Sequence, residues 1–333
     1  MDLPRIAIAT GDPAGIGPEI ALKAALDPRI AAICRPLLVG DPVVVETHAK
    51  AAGLAPHLTV VQKAGDAGWS NGALNLLDAG EGTNAPVSFG KVDASYGRAS
   101  LAAARRAIRC ALAGEVEAVV AAPQTERSIA AAGIAFDGYP SFVARETGTP
   151  VNDVYLMICF DDKRIVHATL HVSVREALAL ITRERVGRVI RVTDAALKKL
   201  GIARPKIFVG GLNPHAGEDG LFGRDEIEII TPAIAAATQG GIDVSGPFGA
   251  DTMLRKKGCD AFIVMLHDQG HIAAKLLAFN RTAGLSIGSP ILFSSVAHGS
   301  AHDIAGKGQA DPGAMIEAIT RLAQVSGGEA DAR

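Results

Sequence analysis

Cysteine is scarce and scattered. Cys34, Cys110, Cys159 and Cys259 include no pair at CxxC spacing, so neither a zinc knuckle nor a redox motif is expected and the thiols read as buried and reduced. Aromatic residues make up only 4% of the 333 residues, too few for an aromatic-rich β-sandwich. Gly and Ala are abundant instead, a mix that suits helices packed closely on a sheet. Neither sign of charge dominates: a formal net charge of −2 leaves no electrostatic footprint for nucleic acid or an acidic membrane. No apolar run approaches the roughly 20 residues that span a bilayer. The opening MDLPRIAIATGDPAG lacks the basic region and long apolar stretch of a secretory signal. A cytoplasmic protein that works on small molecules is expected. The hydrophobic content of 48% excludes a disordered chain, and the length suits two domains or one large α/β unit with a joined second lobe.

Short apolar runs alternate with longer Ala-rich helical patterns. Residues 6–9, 37–39, 118–122, 206–210 and 261–266 read as strands, and 154–160 with 164–170 as a hairpin turning at Asp161-Asp162-Lys163. Helices are expected over 101–112, 174–181 and 185–200. The polar, Gly-rich span 71–90 reads as a surface loop or short hairpin, and the final SGGEADAR as a fraying end. The order predicts an α/β protein with a largely parallel sheet and at least one antiparallel hairpin.

Two glycine-rich runs follow or precede such elements. GDPAGIGPE, with Gly11, Gly15 and Gly17, stands between a strand and a helix. Its spacing does not match GxGxxG, so it reads either as a tight turn with Pro18 in the first helical turn or as a turn facing a ligand. HGSAHDIAGKGQADP, residues 298–312, resembles the adenosine-binding loop of isopropylmalate and isocitrate dehydrogenases, whose run is HGSAPDIAGKG. That resemblance puts Gly299, Ser300 and Ala301 beside the cofactor and matches Asp303 to the acidic residue that accepts from the ribose hydroxyls. An Asp there implies NAD, since it repels the extra phosphate of NADP.

Three histidines stand beside the ends of expected strands: His171 in RIVHATLH, His215 in GGLNPHAGEDG and His267 in VMLHDQGH. Strand C-terminal ends are where α/β proteins place ligands, and three imidazoles form a common set for a catalytic divalent ion. They are far apart in sequence, and three unrelated structural histidines remain the plainer alternative. His48 and His57 fall in surface-like segments.

GDPAGIGPEIALKA, GLNPHAGEDG, GADT at 249–252, MLHDQGH and HGSAHDIAGKGQAD occur in the order and spacing of the 4-hydroxythreonine-4-phosphate dehydrogenase family, from about residue 5 to about residue 325. The resemblance implies an isocitrate/isopropylmalate-dehydrogenase-like fold, two α/β lobes around a cleft, in a homodimer with its active site at the interface. On that pattern 1–134 with 297–333 form the cofactor-side lobe and 135–296 the metal, substrate and dimerisation lobe. It also implies NAD and one divalent ion on His171, His215 and His267, zinc first, with Mn, Fe, Co or Mg as alternatives.

The substrate positions depart from the family pattern. Gly138-Tyr139-Pro140-Ser141 stands where GHTE is found, Glu126 where a Lys of TGPxxK is found, and the phosphate-holding Lys, Asn and Arg fall on Lys275, Gly284 and Phe293. These changes remove charge-assisted contacts. GIAFDGYPS, RIVHATLHVSVR, MLHDQGHIAAKLLA and LSIGSPILFSSVAHGSAHDIAGKG resemble instead the terephthalate dihydrodiol dehydrogenase branch. That branch implies oxidation of a cis-dihydrodiol carboxylate and loss of carbon dioxide, with Tyr139, His271 and Phe293 meeting the ring and Lys275 a carboxylate. Asp251 and Asp268 are the candidates for proton handling and for orienting the histidines. The vitamin-B6 enzyme itself, a threonate 4-phosphate dehydrogenase, and a non-catalytic binding protein on the same fold are the competing expectations.

Overall fold

The computed structural model describes residues 3–69, 73–83, 86–278 and 281–326. The fraying expected of SGGEADAR therefore falls, beyond Ser326, outside the described residues. The chain divides into two compact units, Met1–Thr147 with Pro290–Glu329, and Gly148–Ser289 with Ala330–Arg333.

The first unit is built on β1 (Arg5–Ala9), β2 (Arg35–Gly40), β3 (Leu58–Val61), β4 (Leu74–Asp78), β5 (Ala118–Ala121) and β12 (Leu292–Val296), numbered along the whole chain. Their order is β3-β4-β2-β1-β5-β12, and each of these pairings is parallel. Ile6, Ala7, Ile8 and Ala9 of β1 are fully buried. A strand covered on both faces needs this, and it explains why the segment is an unbroken apolar run rather than an alternating one.

Acidic caps start the helices of this unit. Asp27, Asp41 and Asp93 each accept from the backbone N–H two residues on, at 2.8, 2.8 and 2.7 Å. The helix expected over 101–112 accordingly begins earlier, running Ala94–Leu112, because the Asp93 cap and not the first apolar residue sets its start. The reading of 71–90 is corrected where it is described. LNLLD is β4, an interior strand between β2 and β3, with Leu76 and Leu77 fully buried. Five residues set among polar neighbours carry too little pattern to stand out, and the two flanking strands supply their burial.

The second unit contains β6 (Tyr155–Phe160), β7 (Lys163–His167), β8 (Lys206–Gly210), β9 (Asp243–Phe248), β10 (Ala261–Val264) and β11 (Ala283–Ile287), in the order β11-β6-β7-β10-β8-β9. β11 with β6 and β6 with β7 are antiparallel; the other pairings are parallel. The expected hairpin is β6–β7, turning through Asp161 at φ 45°. Helices Val174–Leu180 and Arg183–Lys199 stand where the sequence predicts them, the first opened by a capping box of Ser173 and Glu176. Because β7, β10 and β8 run parallel, their C-terminal ends share one edge, and the segments leaving them carry His171, His267 and His215.

Candidate active site

In the first unit the two glycine-rich runs lock together. Gly11 turns the chain at φ 72° and leaves no room for a side chain against Pro123 O, so the Asp12 N–H donates to that carbonyl at 3.0 Å. The Asp12 carboxylate, 1% exposed, accepts from Ala14 N at 3.0 Å and from His302 Nε2 at 2.7 Å. Its second oxygen also receives the Thr125 hydroxyl. Thr125 Oγ1 lies 2.8 Å from Ser300 Oγ and 3.1 Å from His302 Nε2. A Cβ at Gly15 would stand 2.6 Å from that of Ser300, and Ile16 N donates to Ser300 O at 2.8 Å. The close approach requires glycine at 15.

The later part of the loop is held by the first helix, Gly17–Ala25. Lys23 Nζ donates to Glu19 Oε1, Gly308 O and Ala310 O at 2.8, 3.0 and 2.8 Å, while Ala310 N donates to the buried Glu19 at 2.9 Å. Within this clamped loop Gly299 and Asp303 are exposed, Ala301 is half-buried at φ 41°, and Ser300 is buried with its hydroxyl turned to Thr125. A Cβ at Gly299 would meet open space, so its backbone is accessible to a ligand. Asp12, Thr125 and His302 were not singled out from the sequence. The available signal was one letter, a histidine where the quoted dehydrogenase run has proline.

In the second unit β7 and β10 bring His171 and His267 together, their rings 5.7 Å apart. Gln269, one turn into the helix His267–Ala278, accepts from Met265 N and Leu266 N at 2.9 and 3.0 Å and donates to Gly211 O at 3.1 Å. It thereby ties this helix start to the end of β8. His267 Nδ1 donates to Asp268 Oδ1 at 2.7 Å, which leaves Nε2 as the ring nitrogen open to a ligand. His271 stacks on His267, centroids 3.8 Å apart, and its Nδ1 lies 3.1 Å from Nε2 of buried His167. Burial, with His271 next to it, pushes His167 down to about 3; burial and the nearby His267 take His271 down to about 4. Both are neutral imidazoles at neutral pH.

His215 is held differently. Residues 215–219 all lie in the left-handed region, His215 itself at φ 53°, a costly run for non-glycine residues. Buried Glu226 braces it, accepting from Leu212 N, Asn213 N and Asn213 Nδ2 at 2.7, 2.8 and 2.9 Å. Exposed Asp251 stands nearby across Gly249, whose Cβ would lie 2.8 Å from Asp251 Oδ1 and 3.7 Å from His215 Cα. Among the described residues, no three His, Cys, Asp or Glu side chains of one chain form a ready metal-holding group. The structure thus brings the His171 and His267 rings together, while the His215 backbone and Asp251 both lie beside Gly249.

Lys275 is exposed, two turns along the helix that begins at His267. Gly284 is buried on β11 opposite Ile158. The expected substrate contact of Phe293 is corrected: the ring is 1% exposed inside the first unit's core, so no ligand reaches its surface in this conformation. The reason is its place on β12, paired with β5 and covered by Tyr139, centroid to centroid 5.1 Å. Tyr139 is half-buried; its hydroxyl donates to Ala122 O at 2.8 Å and accepts from Gln124 Nε2 at 2.7 Å.

Residues 32–322 match the family described as pyridoxal phosphate biosynthetic protein PdxA. A Symbiobacterium thermophilum protein, provisionally named a D-threonate 4-phosphate dehydrogenase, is 42% identical over 319 residues, 95% of each chain. The crystal structure of a Burkholderia xenovorans terephthalate 1,2-cis-dihydrodiol dehydrogenase is also 42% identical, covering 96% of this chain and 97% of that one with a TM-score of 0.68. The 4-hydroxythreonine-4-phosphate dehydrogenase of Klebsiella pneumoniae aligns over 97% of this chain and 99% of its own at 33% identity, TM-score 0.86. The chain therefore belongs to the PdxA family and is an NAD-dependent decarboxylating dehydrogenase, in a family that works with NAD and a divalent metal.

Proposed function

We propose that this dehydrogenase oxidises a cis-dihydrodiol carboxylate of the terephthalate dihydrodiol kind and releases carbon dioxide and a catechol-type product, as a step in aromatic-compound breakdown. The observation that carries the reading is the loss of phosphate-holding groups. Gly284 has no side chain and Phe293 offers only a buried ring, where the family pattern has an Asn and an Arg. Lys275 alone remains, exposed and able to pair with one carboxylate.

His171, His215 and His267 would hold one divalent ion. The donor chemistry fits, since Asp268 fixes His267 with Nε2 open and neutral imidazoles suit zinc first, with Mn, Fe, Co or Mg as alternatives. When bound, the ion supplies Lewis-acid polarisation of the substrate oxygens. Asp251 would take the hydroxyl proton, and NAD, when bound, would supply the hydride acceptor, with Gly299, Ser300, Ala301 and Asp303 holding its adenosine side. Lys275 holds a substrate carboxylate. The carboxylate β to the new ketone leaves as carbon dioxide, and its electron pair enters the ring, which becomes aromatic. His271 and the exposed part of Tyr139 contact the ring substituents.

A second copy of the chain completes the site in this reading. His215 does not join His171 and His267 in a ready group within one chain. The helix that starts at His267 also exposes Ile272, Leu276 and Leu277 at 56%, 81% and 56%. An apolar face beside incomplete ligands suits a two-fold interface. Among the described residues, no helix is long and apolar enough to cross a membrane.

A second reading, D-threonate 4-phosphate oxidation, draws on the equally similar Symbiobacterium relative at 42% identity. It has the same two phosphate contacts missing, worth about two to four powers of ten in affinity. The deciding experiment measures NADH formation by metal-loaded protein on terephthalate cis-dihydrodiol, other cis-dihydrodiol carboxylates, D-threonate 4-phosphate and 4-phosphohydroxythreonine. Turnover of a dihydrodiol carboxylate is expected; efficient oxidation of either phosphate ester instead overturns the proposal.

A further inference from the structure

We propose that His302 is a positioning residue for the cofactor: joined to buried Asp12 and to Thr125, it clamps the segment Gly299–Asp303 in its NAD-binding shape. The inference rests on the reading of that segment as the adenosine site.

Three observations lead there. First, the Asp12 carboxylate is 1% exposed and holds His302 Nε2 at 2.7 Å. A buried carboxylate demands its donors, and removing His302 leaves the oxygen it shares with Thr125 one donor short. Second, Ala301, between Ser300 and His302, sits in the left-handed region at φ 41°, which a non-glycine residue adopts only when its surroundings enforce it. Ser300 is fixed on one side by Ile16 N and Thr125, at 2.8 Å each, and His302 on the other by Asp12. Third, a proline at 302, as in the dehydrogenase run quoted above, would push residue 301 towards extended geometry. A loop built on proline takes its rigidity from the ring. This loop, with Ala301 left-handed, takes it from the His302–Asp12 hydrogen bond. The two fixed residues flank Ala301 and lead directly into Asp303, so freedom gained at 302 passes to the carboxylate that would meet the ribose. The ordering entropy then falls on the moment of binding.

The test is calorimetric titration of the metal-loaded wild type and variants with NAD, which needs no substrate, joined to thermal melting and metal content. His302→Ala is expected to weaken NAD binding about tenfold, the loss of one charge-assisted hydrogen bond, with metal content unchanged. His302→Gln, whose amide can still donate to Asp12, is expected to recover most of that loss. Should His302→Ala not fold, His302→Asn, too short to reach Asp12, replaces it. Asp303→Lys tests the underlying reading. If it weakens NAD binding while His302→Ala leaves the Kd within about twofold, the inference is overturned and the adenosine site stands. If Asp303→Lys leaves NAD binding unaltered, the adenosine reading fails and the inference with it. Equal losses in His302→Ala and His302→Gln, with melting temperatures lowered in parallel, would assign His302 a merely structural role and overturn the proposal.

Discussion

Tyr139 and Phe293 face each other with ring centroids 5.1 Å apart, the Phe293 ring fully inside the core of the first unit. Truncating Phe293 to Ala should cost about 3–5 kcal/mol of stability, as for other buried aromatics, read from urea denaturation. Phe293→Arg should destabilise further by burying an unpaired charge, so restoring the family's phosphate-binding arginine is not a simple exchange of specificity. A Phe293→Ala protein with wild-type stability would place the ring outside the core.

His267 is oriented by its neighbour. Asp268→Asn keeps the shape but removes the carboxylate that accepts from His267 Nδ1 at 2.7 Å. Metal affinity should fall by about 10–100-fold, as when other outer partners of ligating histidines are lost, measured by competition with a chelator. His171→Ala should remove high-affinity binding altogether. Unchanged metal affinity in both variants would exclude His171 and His267 as ligands.

Glu226 is 2% exposed and satisfies three donors of the loop that carries His215. Glu226→Ala strands those donors, at about 1–3 kcal/mol each, and releases the left-handed run 215–219. A loss on the order of 3–5 kcal/mol is expected by chemical denaturation. Residual folded protein should bind metal more weakly than wild type. A smaller effect than that of Phe293→Ala on metal binding would detach this loop from the site.

His48, read from the sequence as lying in a surface-like segment, is 1% exposed and adds to the pH dependence in the same sense as His167 and His271. Its ring is buried, with Nε2 donating to Pro13 O at 2.8 Å, and burial holds its pKa below the ordinary value. In the unfolded chain the group titrates near about 6.5. Below that pH the unfolded state takes up a proton that the folded state refuses, so stability falls as pH falls. Melting temperatures between about pH 7.5 and 5 should drop more steeply for wild type than for His48→Gln, which retains the donor to Pro13 without a titrating ring. Parallel profiles would remove His48 from the account.

Asp303, exposed on the clamped loop, should favour NAD over NADP by repelling the extra phosphate. Asp303→Lys should narrow or reverse the ratio of kcat/KM for the two cofactors. A wild-type preference for NADP would contradict the assignment of this residue.

Composition, apolar runs and motif order were enough for the α/β class, the β6–β7 hairpin, several of the helices and the family. These are local or cumulative signals: β1 is apolar because both its faces are covered, and Ser173 caps a helix whatever lies far away. The strand β4 is not legible locally, because its place between β2 and β3 is decided by the two neighbouring strands. The same holds for the site. That His171, His215 and His267 each follow a strand was legible, yet which of them meet was not, since spacing in sequence carries no distance. Only tertiary structure stacked His271 on His267, sank Phe293 into a core and joined Asp12 to His302 across 290 positions. A hydrogen bond between segments so far apart is decided by how parallel strands set their ends side by side, which no local propensity encodes.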